Sequence, residues 1–293
     1  MSWDPGETHS SGLTGILRLV RIEHTLFSLP FAYMGAFLSG TPDLRELFWI
    51  TIAVFGLRTA AMSFNNIADI EIDRKNPRSS RRPLVTGKVS VKTAYLLVIA
   101  GSVIYFLSAY FLNNPSFKMS PLPWFFAMSY PYAKRIHNWP HIHLGFVLAL
   151  VVLGGSFGVL GDRYADILKI FTLVPWEFML AVVFWVAGFD IIYSIMDIDF
   201  DRRENLGSVP ARYGPEFAKR VAFIFHILTF LLVFAGAIRY RVRIVSYPFI
   251  ILSMILVFYG HLKVRNSPDG IKVAFNLNLV VGILISLGII MGS

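Results

Sequence analysis

The segment Asn65–Leu84, NNIADIEIDRKNPRSSRRPL, decides how the chain folds and what it binds. It begins at the end of a long apolar run and places Asn65, Asp69 and Asp73 at intervals of four residues. Residues four apart stack on one face of a helix. Three oxygen donors without a thiol or an imidazole suit a hard cation such as Mg²⁺ better than Zn²⁺. The segment therefore predicts a magnesium-binding face at the end of a membrane helix.

Basic side chains follow this acidic face immediately: Arg74, Lys75, Arg78, Arg81 and Arg82. Cations beside a magnesium-type carboxylate cluster suit a diphosphate, because its charge exceeds what one metal ion neutralises. The alternative is a solvated loop whose basic residues only set membrane topology. Asp69 and Asp73 argue against that alternative, since carboxylates close to a spanning segment seldom serve solubility.

Composition places the chain among polytopic membrane proteins. Of its 293 residues, 55% are hydrophobic and 15% are charged, and the mean hydropathy is +0.61. The absence of cysteine excludes disulfides, thiolate metal sites and cysteine nucleophiles. The N-terminal residues lack the pattern of a secretory signal. The net charge of +9 lies in short loops between apolar runs, which indicates membrane orientation and no nucleic-acid partner.

The apolar runs predict an all-α fold of about nine transmembrane helices around a central cavity, at about 13–38, 48–68, 91–112, 124–128, 144–160, 174–196, 218–237, 245–262 and 273–291. Pro30 is expected to kink the first span. The fourth, short and rich in proline, could instead be re-entrant. Most of the 27 lysines and arginines fall in the N-terminus and in the loops after spans 2, 4, 6 and 8. The N-terminus and both acidic stretches are therefore predicted to be cytoplasmic.

A second acidic stretch, DIIYSIMDIDFDRREN, follows the sixth span. Helical spacing puts Asp190, Tyr193, Asp197 and Asp201 on one face, while Asp199 points elsewhere. Each acidic stretch follows the second of four spans. This pattern predicts one domain, 1–293, built from two four-helix halves, 13–135 and 144–265, plus one extra helix, with both stretches facing a shared cavity.

Two arginines lie deeper than the acidic loops require. Arg58 shares a helix face with Asn65 and Asp69, and an intramembrane arginine on such a face is a site candidate. Arg21 lies in the first third of the first span. Five histidines are interpreted as interfacial or packing residues, although the first three have a loosely metal-like spacing: His137, His141, His143, His226 and His261.

Four segments resemble those of the UbiA-type intramembrane aromatic prenyltransferases. They are Asn65-Asn66-x-x-Asp69-x-x-x-Asp73; Arg78 with Arg82-Pro83-Leu84; Tyr130-Pro131 with Lys134-Arg135; and Asp190-x-x-Tyr193-x-x-x-Asp197-x-x-x-Asp201. The family often has Asp where this chain has Asn66. Two ordered aspartate motifs are a specific signal, whereas one aspartate repeat alone would be weak.

The resemblance implies Mg²⁺-dependent transfer of a polyprenyl chain from an allylic diphosphate to an aromatic acceptor at the lipid bilayer. By matching positions, the magnesium-bound diphosphate would lie on Asn65, Asp69, Asp73, Asp197 and Asp201. Its oxygens would contact Arg78, Arg82, Lys134 and Tyr130. Asp190 and Tyr193 would position donor or acceptor and, with Asp69 and Asp197, form the catalytic set. The acceptor would lie near Arg21, Arg58 and His24.

The acceptor implied first is 4-hydroxybenzoate, in a quinone pathway such as that of ubiquinone; a precursor of menaquinone or another acceptor of the family is the alternative. A different class, a magnesium or organic-anion transporter, would also place acidic residues between helices. Transporters usually hold them near the midplane on broken helices, whereas here they lie at helix ends beside basic loops. The sequence defines neither the prenyl chain length nor the oligomeric state.

Overall fold

The computed structural model describes residues 12–266 and 269–293, except the side chains of residues 12, 13, 22–26 and 266. Within that part the chain forms fifteen α-helices and no β-strand. The helices are α1 Gly12–Val20, α2 Ile22–Ser39, α3 Leu44–Ala68, α4 Ile70–Lys75, α5 Val91–Leu112, α6 Asn114–Met119, α7 Pro121–Ile136, α8 Pro140–Leu160, α9 Ile167–Leu173, α10 Trp176–Ser194, α11 Ile198–Arg203, α12 Val209–Tyr213, α13 Pro215–Arg239, α14 Tyr247–Asn266 and α15 Gly270–Gly292.

Seven helical segments of the described chain are long and apolar enough to cross a bilayer: Leu44–Ala68, Val91–Leu112, Pro140–Leu160, Trp176–Arg203, Pro215–Arg239, Ile244–Arg265 and Gly270–Gly292. The two remaining predicted spans, the first and the fourth, contain α2, which has 18 residues, and α7, which has 16 residues. A helix of that length rises roughly 24 Å, less than the roughly 30 Å of a hydrocarbon core. The predicted all-α polytopic fold is confirmed, with nine as an approximate number of spans.

The first predicted span is not one helix, which corrects the prediction of a continuous segment 13–38. The chain breaks at Arg21, whose backbone is left-handed with φ 46°. Pro30, the expected kink, lies inside α2. A non-glycine residue in this conformation costs about 1–2 kcal/mol, so surrounding contacts must favour it. The break separates α1 from α2 and leaves Arg21 beside the central cavity.

Helices α8 and α10 form the centre of the fold, because small residues let their backbones approach their neighbours. A Cβ atom on Gly145 of α8 would meet the carbonyl oxygen of Val183 on α10. One on Gly155 would meet the carbonyl oxygen of Ala32 on α2. Most of the apolar windows of α8 and α10 are therefore buried inside the protein and away from lipid.

Both acidic stretches lie at helix junctions. Helix α3 ends before Asp69, and α4 carries Asp73. Helix α10 ends at Ser194, a single 3₁₀ turn runs from Ile195 to Asp197, and α11 carries Asp201. The prediction of one continuous helical face is therefore wrong in detail, since each motif crosses a change of helix. The duplication of two four-helix halves remains a prediction.

Candidate active site

One cavity of about 650 Å³ brings the two acidic stretches together. It follows α3 from Ile50 to Asp69, a distance of roughly 28 Å at the helical rise per residue. The aspartates lie at the Asp69 end, and the rest is lined mainly by aliphatic side chains of α3, α5 and α8, with Arg58 and Tyr105 among them. The cavity therefore has an acidic end and an apolar limb.

Asp69 is the most heavily paired carboxylate of the first stretch. Only 4% exposed, it accepts bonds from Lys134 Nζ at 2.8 Å and Arg135 at 3.0 Å. Asn65 lines the cavity, whereas Asn66 points away and donates to the Met62 carbonyl at 2.7 Å. The structure therefore places Asn65 and Asp69 in the site. It also adds Arg135, which the sequence analysis did not include among the site residues.

Asp73 is equally buried and pairs with Arg82 at 2.5 Å. Burial raises the pKa of the Asp73 carboxyl above its usual range, although the Arg82 guanidinium opposes that rise. Arg82 belongs to the basic segment that follows α4, which therefore folds back over the carboxylates it follows. All three predicted residues of the first motif line the cavity.

The second stretch has fewer cationic partners. Asp197 accepts a bond from Arg78 at 2.6 Å, and the Arg78 guanidinium lies 4.8 Å from the centre of the Tyr193 ring. Asp201 accepts a bond from the hydroxyl of Ser208 at 2.8 Å. Arg78 thus connects the basic segment after the first motif to the carboxylates of the second.

Asp190 has a histidine partner that the sequence interpretation missed. Nδ1 of His141 lies 2.7 Å from Asp190 Oδ2, and His141 is 2% exposed and lines the cavity. The interpretation of His141 as an interfacial loop residue is therefore wrong. His137 is exposed and His143 contacts Ser129, so the three histidines are not gathered together. The signal that could have found His141 is its position, one residue after the proline that begins α8.

Three of the remaining predicted residues also line the cavity: Tyr130, Arg21 and Arg58. The Nε atom of Arg58 is buried without a hydrogen-bond partner among the residues that the structure describes. A buried guanidinium nitrogen without a partner is costly, so the Arg58 side chain suits an anionic group in the cavity that it lines. The prediction for His24 falls on a side chain outside the described residues.

The UbiA prenyltransferase family model matches residues 28–282. The chain belongs to that family. A UbiA homologue from Aeropyrum pernix K1, solved in the apo form, is 47% identical with a TM-score of 0.88, covering 92% of this chain and 98% of that one. A UbiA homologue from Archaeoglobus fulgidus bound to GPP and Mg²⁺ shares the fold, with a TM-score of 0.69 at 23% identity over 94% of this chain and 99% of that one.

A curated relative is the 4-hydroxybenzoate octaprenyltransferase of Francisella tularensis subsp. novicida (strain U112). It is 31% identical over 194 residues, which are 66% of this chain and 65% of the relative. The aligned part thus spans just under two thirds of that protein. Family membership and the apolar helices together make this UbiA protein an integral, multi-pass membrane protein.

The residues of this UbiA site fit Mg²⁺ in donor chemistry. In the described part of the chain, no three or more His, Cys, Asp or Glu side chains gather into a metal cage. Magnesium does not need such a cage, because it usually keeps waters and binds through one or two carboxylates plus substrate phosphates. Asp69 and Asp73 on one side, with Asp197 and Asp201 on the other, would supply those carboxylates. Their present partners are cations or a hydroxyl, which can move to phosphate oxygens.

Proposed function

We propose that this protein transfers a polyprenyl chain from an allylic diphosphate to an aromatic acid, with 4-hydroxybenzoate as the favoured acceptor. One observation carries the proposal: two carboxylate motifs and their paired cations meet at one end of a cavity whose other limb is apolar. That distribution fits a molecule with an anionic head and a hydrocarbon tail. The named relative supports the choice of acceptor.

The acidic end would hold the diphosphate. Asn65 and the carboxylates of both motifs would hold Mg²⁺, which would supply the positive charge that neutralises the diphosphate as a leaving group. Three of the cations that now pair with these carboxylates, Arg78, Arg82 and Lys134, are then available to its oxygens, beside Tyr130. The allylic C–O bond breaks with its electron pair going to the diphosphate. Two π electrons of the acceptor ring form the new C–C bond, and the substituted ring carbon then gives its proton to the released diphosphate.

The acceptor would lie between the arginines and the second motif. Arg58, with Arg21 beside it, would bind the carboxylate of an aromatic acid, as the unpaired Nε atom of Arg58 suggests. Asp190 and Tyr193 would orient the ring. A menaquinone precursor that carries an aromatic carboxylate would make the same arginine contact, so the acceptor needs a direct test.

The apolar limb would hold the prenyl chain. Gly154 is the exposed position in an otherwise buried turn of α8, and a Cβ atom added there would meet nothing within 4 Å. Gly154 also lines the cavity. Its missing side chain therefore leaves room in the limb, and a large side chain at this position would shorten the space for the donor.

The test is turnover by purified protein with Mg²⁺, a panel of allylic diphosphates and a panel of aromatic acids, read by diphosphate release and product mass. We expect products with aromatic acids and none with neutral phenols. Gly154→Phe should abolish use of long donors and spare dimethylallyl diphosphate, whereas Leu231→Phe, on an exposed face of α13, should change neither. No turnover with any pair would refute the proposal.

We further propose that both motifs face the cytoplasm, on the asymmetry of basic residues. Single cysteines at the exposed positions Thr86 and Arg203 should react with an impermeant thiol reagent from the cytoplasmic side, and one at Asn114 from the opposite side. The background is clean because the chain has no cysteine. Labelling of Thr86 and Asn114 from the same side would overturn this orientation.

A further inference from the structure

His141 contacts two groups with its two ring nitrogens. Nδ1 lies 2.7 Å from Oδ2 of Asp190, and Nε2 accepts a bond from the backbone N–H of Val209 at 3.3 Å. His141 is 2% exposed and Val209 is fully buried. The imidazole is therefore fixed at both ends, away from bulk water.

These contacts define which nitrogen carries the proton. A backbone N–H can only donate, so Nε2 must present its lone pair to Val209. A neutral imidazole then carries its proton on Nδ1 and donates it to Asp190. One oxygen of the Asp190 carboxylate is thereby committed, and the other is left for the cavity that Asp190 lines.

The same segment also holds the rest of the second motif. Gly207 donates its N–H to the carbonyl of Lys134 at 2.6 Å, and Ser208 donates to Asp201. Residues 207–209 thus tie α7, α8 and the second motif together. His141 is the side chain that joins this segment to Asp190.

We propose that His141 is a positioning residue that aims the second oxygen of Asp190 at the phenolic hydroxyl of the acceptor. This rests on the proposed function, and it adds how the enzyme distinguishes a hydroxybenzoate from a benzoate. A hydrogen bond to a charged group contributes enough for a discrimination of about tenfold or more. The contact requires that the carboxylate cannot rotate, and the imidazole Nδ1–H restrains it.

Two conservative variants separate the two bonds of His141. In His141→Asn the shorter amide can still donate to Asp190, whereas in His141→Gln the longer amide can reach only the N–H of Val209. The measurements are the Michaelis constants of the acceptor, 4-hydroxybenzoate, and of the donor, together with the inhibition constant of benzoate, which lacks the hydroxyl. His143→Ala is the matched control, because His143 does not line the cavity.

We expect His141→Gln and His141→Ala to raise the Michaelis constant of 4-hydroxybenzoate about tenfold. The Michaelis constant of the donor and the inhibition constant of benzoate should not change. In His141→Asn the Michaelis constant of 4-hydroxybenzoate should stay within a few-fold of the wild-type value.

Wild-type kinetics in His141→Gln would overturn the assignment. An equal rise in the Michaelis constant of 4-hydroxybenzoate and the inhibition constant of benzoate would also overturn it. If His141→Ala does not fold, the Asn and Gln pair decides alone. A wild type without turnover would instead refute the proposed function, so the two failures are distinguishable.

Discussion

The two acidic motifs of the cavity each contain a pair of aspartates four residues apart, Asp69 and Asp73 in the first and Asp197 and Asp201 in the second, but their electrostatic surroundings differ. In the first, Asp69 and Asp73 are each 4% exposed and are paired with three cations, Lys134, Arg135 and Arg82. In the second, three carboxylates share one cation among their described ion pairs, Arg78 on Asp197. The other two, Asp190 and Asp201, accept bonds from the neutral groups of His141 and Ser208.

The different surroundings of the two motifs indicate different roles in binding. Burying a carboxylate costs several kcal/mol unless a cation compensates it. This cost explains why the first motif, whose aspartates are the more buried, carries three cations. The less buried motif has one cation for three carboxylates among the described ion pairs and so keeps net negative charge, which would attract a divalent ion. In the proposed reaction the first motif thus brings phosphate-binding cations with it, and the second brings the charge that draws in Mg²⁺.

The largest expected effect is the loss of turnover when either motif loses a central carboxylate. Asp69→Asn and Asp197→Asn should each lower kcat by at least about a hundredfold, as removal of one preorganised charge contact typically does. Raising the Mg²⁺ concentration should partly restore the turnover of Asp197→Asn. It should not restore that of Asp69→Asn, because Lys134 and Arg135 then lose their carboxylate partner and repel the metal ion. The measurement is diphosphate release across a Mg²⁺ titration.

Asp199→Asn is the control, since Asp199 is exposed and does not line the cavity. It should retain full activity. Near-normal turnover of either central variant at limiting Mg²⁺ would contradict the participation of both motifs.

A second prediction compares stability at the two motifs. Arg82→Gln leaves the buried Asp73 carboxylate without its cation and should lower the free energy of unfolding by about 3 kcal/mol. Arg78→Gln should cost less than about 1 kcal/mol, because the Arg78 and Asp197 side chains are 36% and 24% exposed. Denaturant unfolding in one detergent measures both. Equal losses would show that the two environments are energetically alike.

Sequence reasoning reached the parts of this site that depend on local spacing. Intervals of three and four residues placed two sets of side chains on the cavity wall even though both motifs cross helix junctions: Asn65, Asp69 and Asp73, and Asp190, Tyr193, Asp197 and Asp201. The break at Arg21 was missed because an apolar run with the right period gives no sign of a left-handed residue.

The partners of the carboxylates depend on contacts between distant parts of the chain. His141 meets Asp190 and Val209 only because α8, α10 and α12 pack together. Periodicity along one helix carries no information on such a contact, so His141, two residues from His143 and four from His137, is interpreted as a loop residue from the sequence alone. The two motifs also differ in their number of cationic partners because of such contacts, so the sequence alone does not predict that difference.

The smallest effect concerns Arg58, which lies on the helix of the first motif and therefore tests whether that helix also binds the acceptor. Its Nε atom has no partner among the described residues, and Asp69, just past the end of the same helix, is already paired with Lys134 and Arg135. A carboxylate of the acceptor would accept two hydrogen bonds from the Arg58 guanidinium, and this contact would direct the ring carbon toward the allylic carbon.

With 4-hydroxybenzoate as acceptor, Arg58→Ala should raise the acceptor's Michaelis constant about tenfold and change that of the donor little. Arg58→Lys, which keeps the charge without the bidentate geometry, should lie between wild type and Arg58→Ala. Unaltered acceptor kinetics in Arg58→Ala would place the carboxylate pocket elsewhere and leave the first motif with the diphosphate alone.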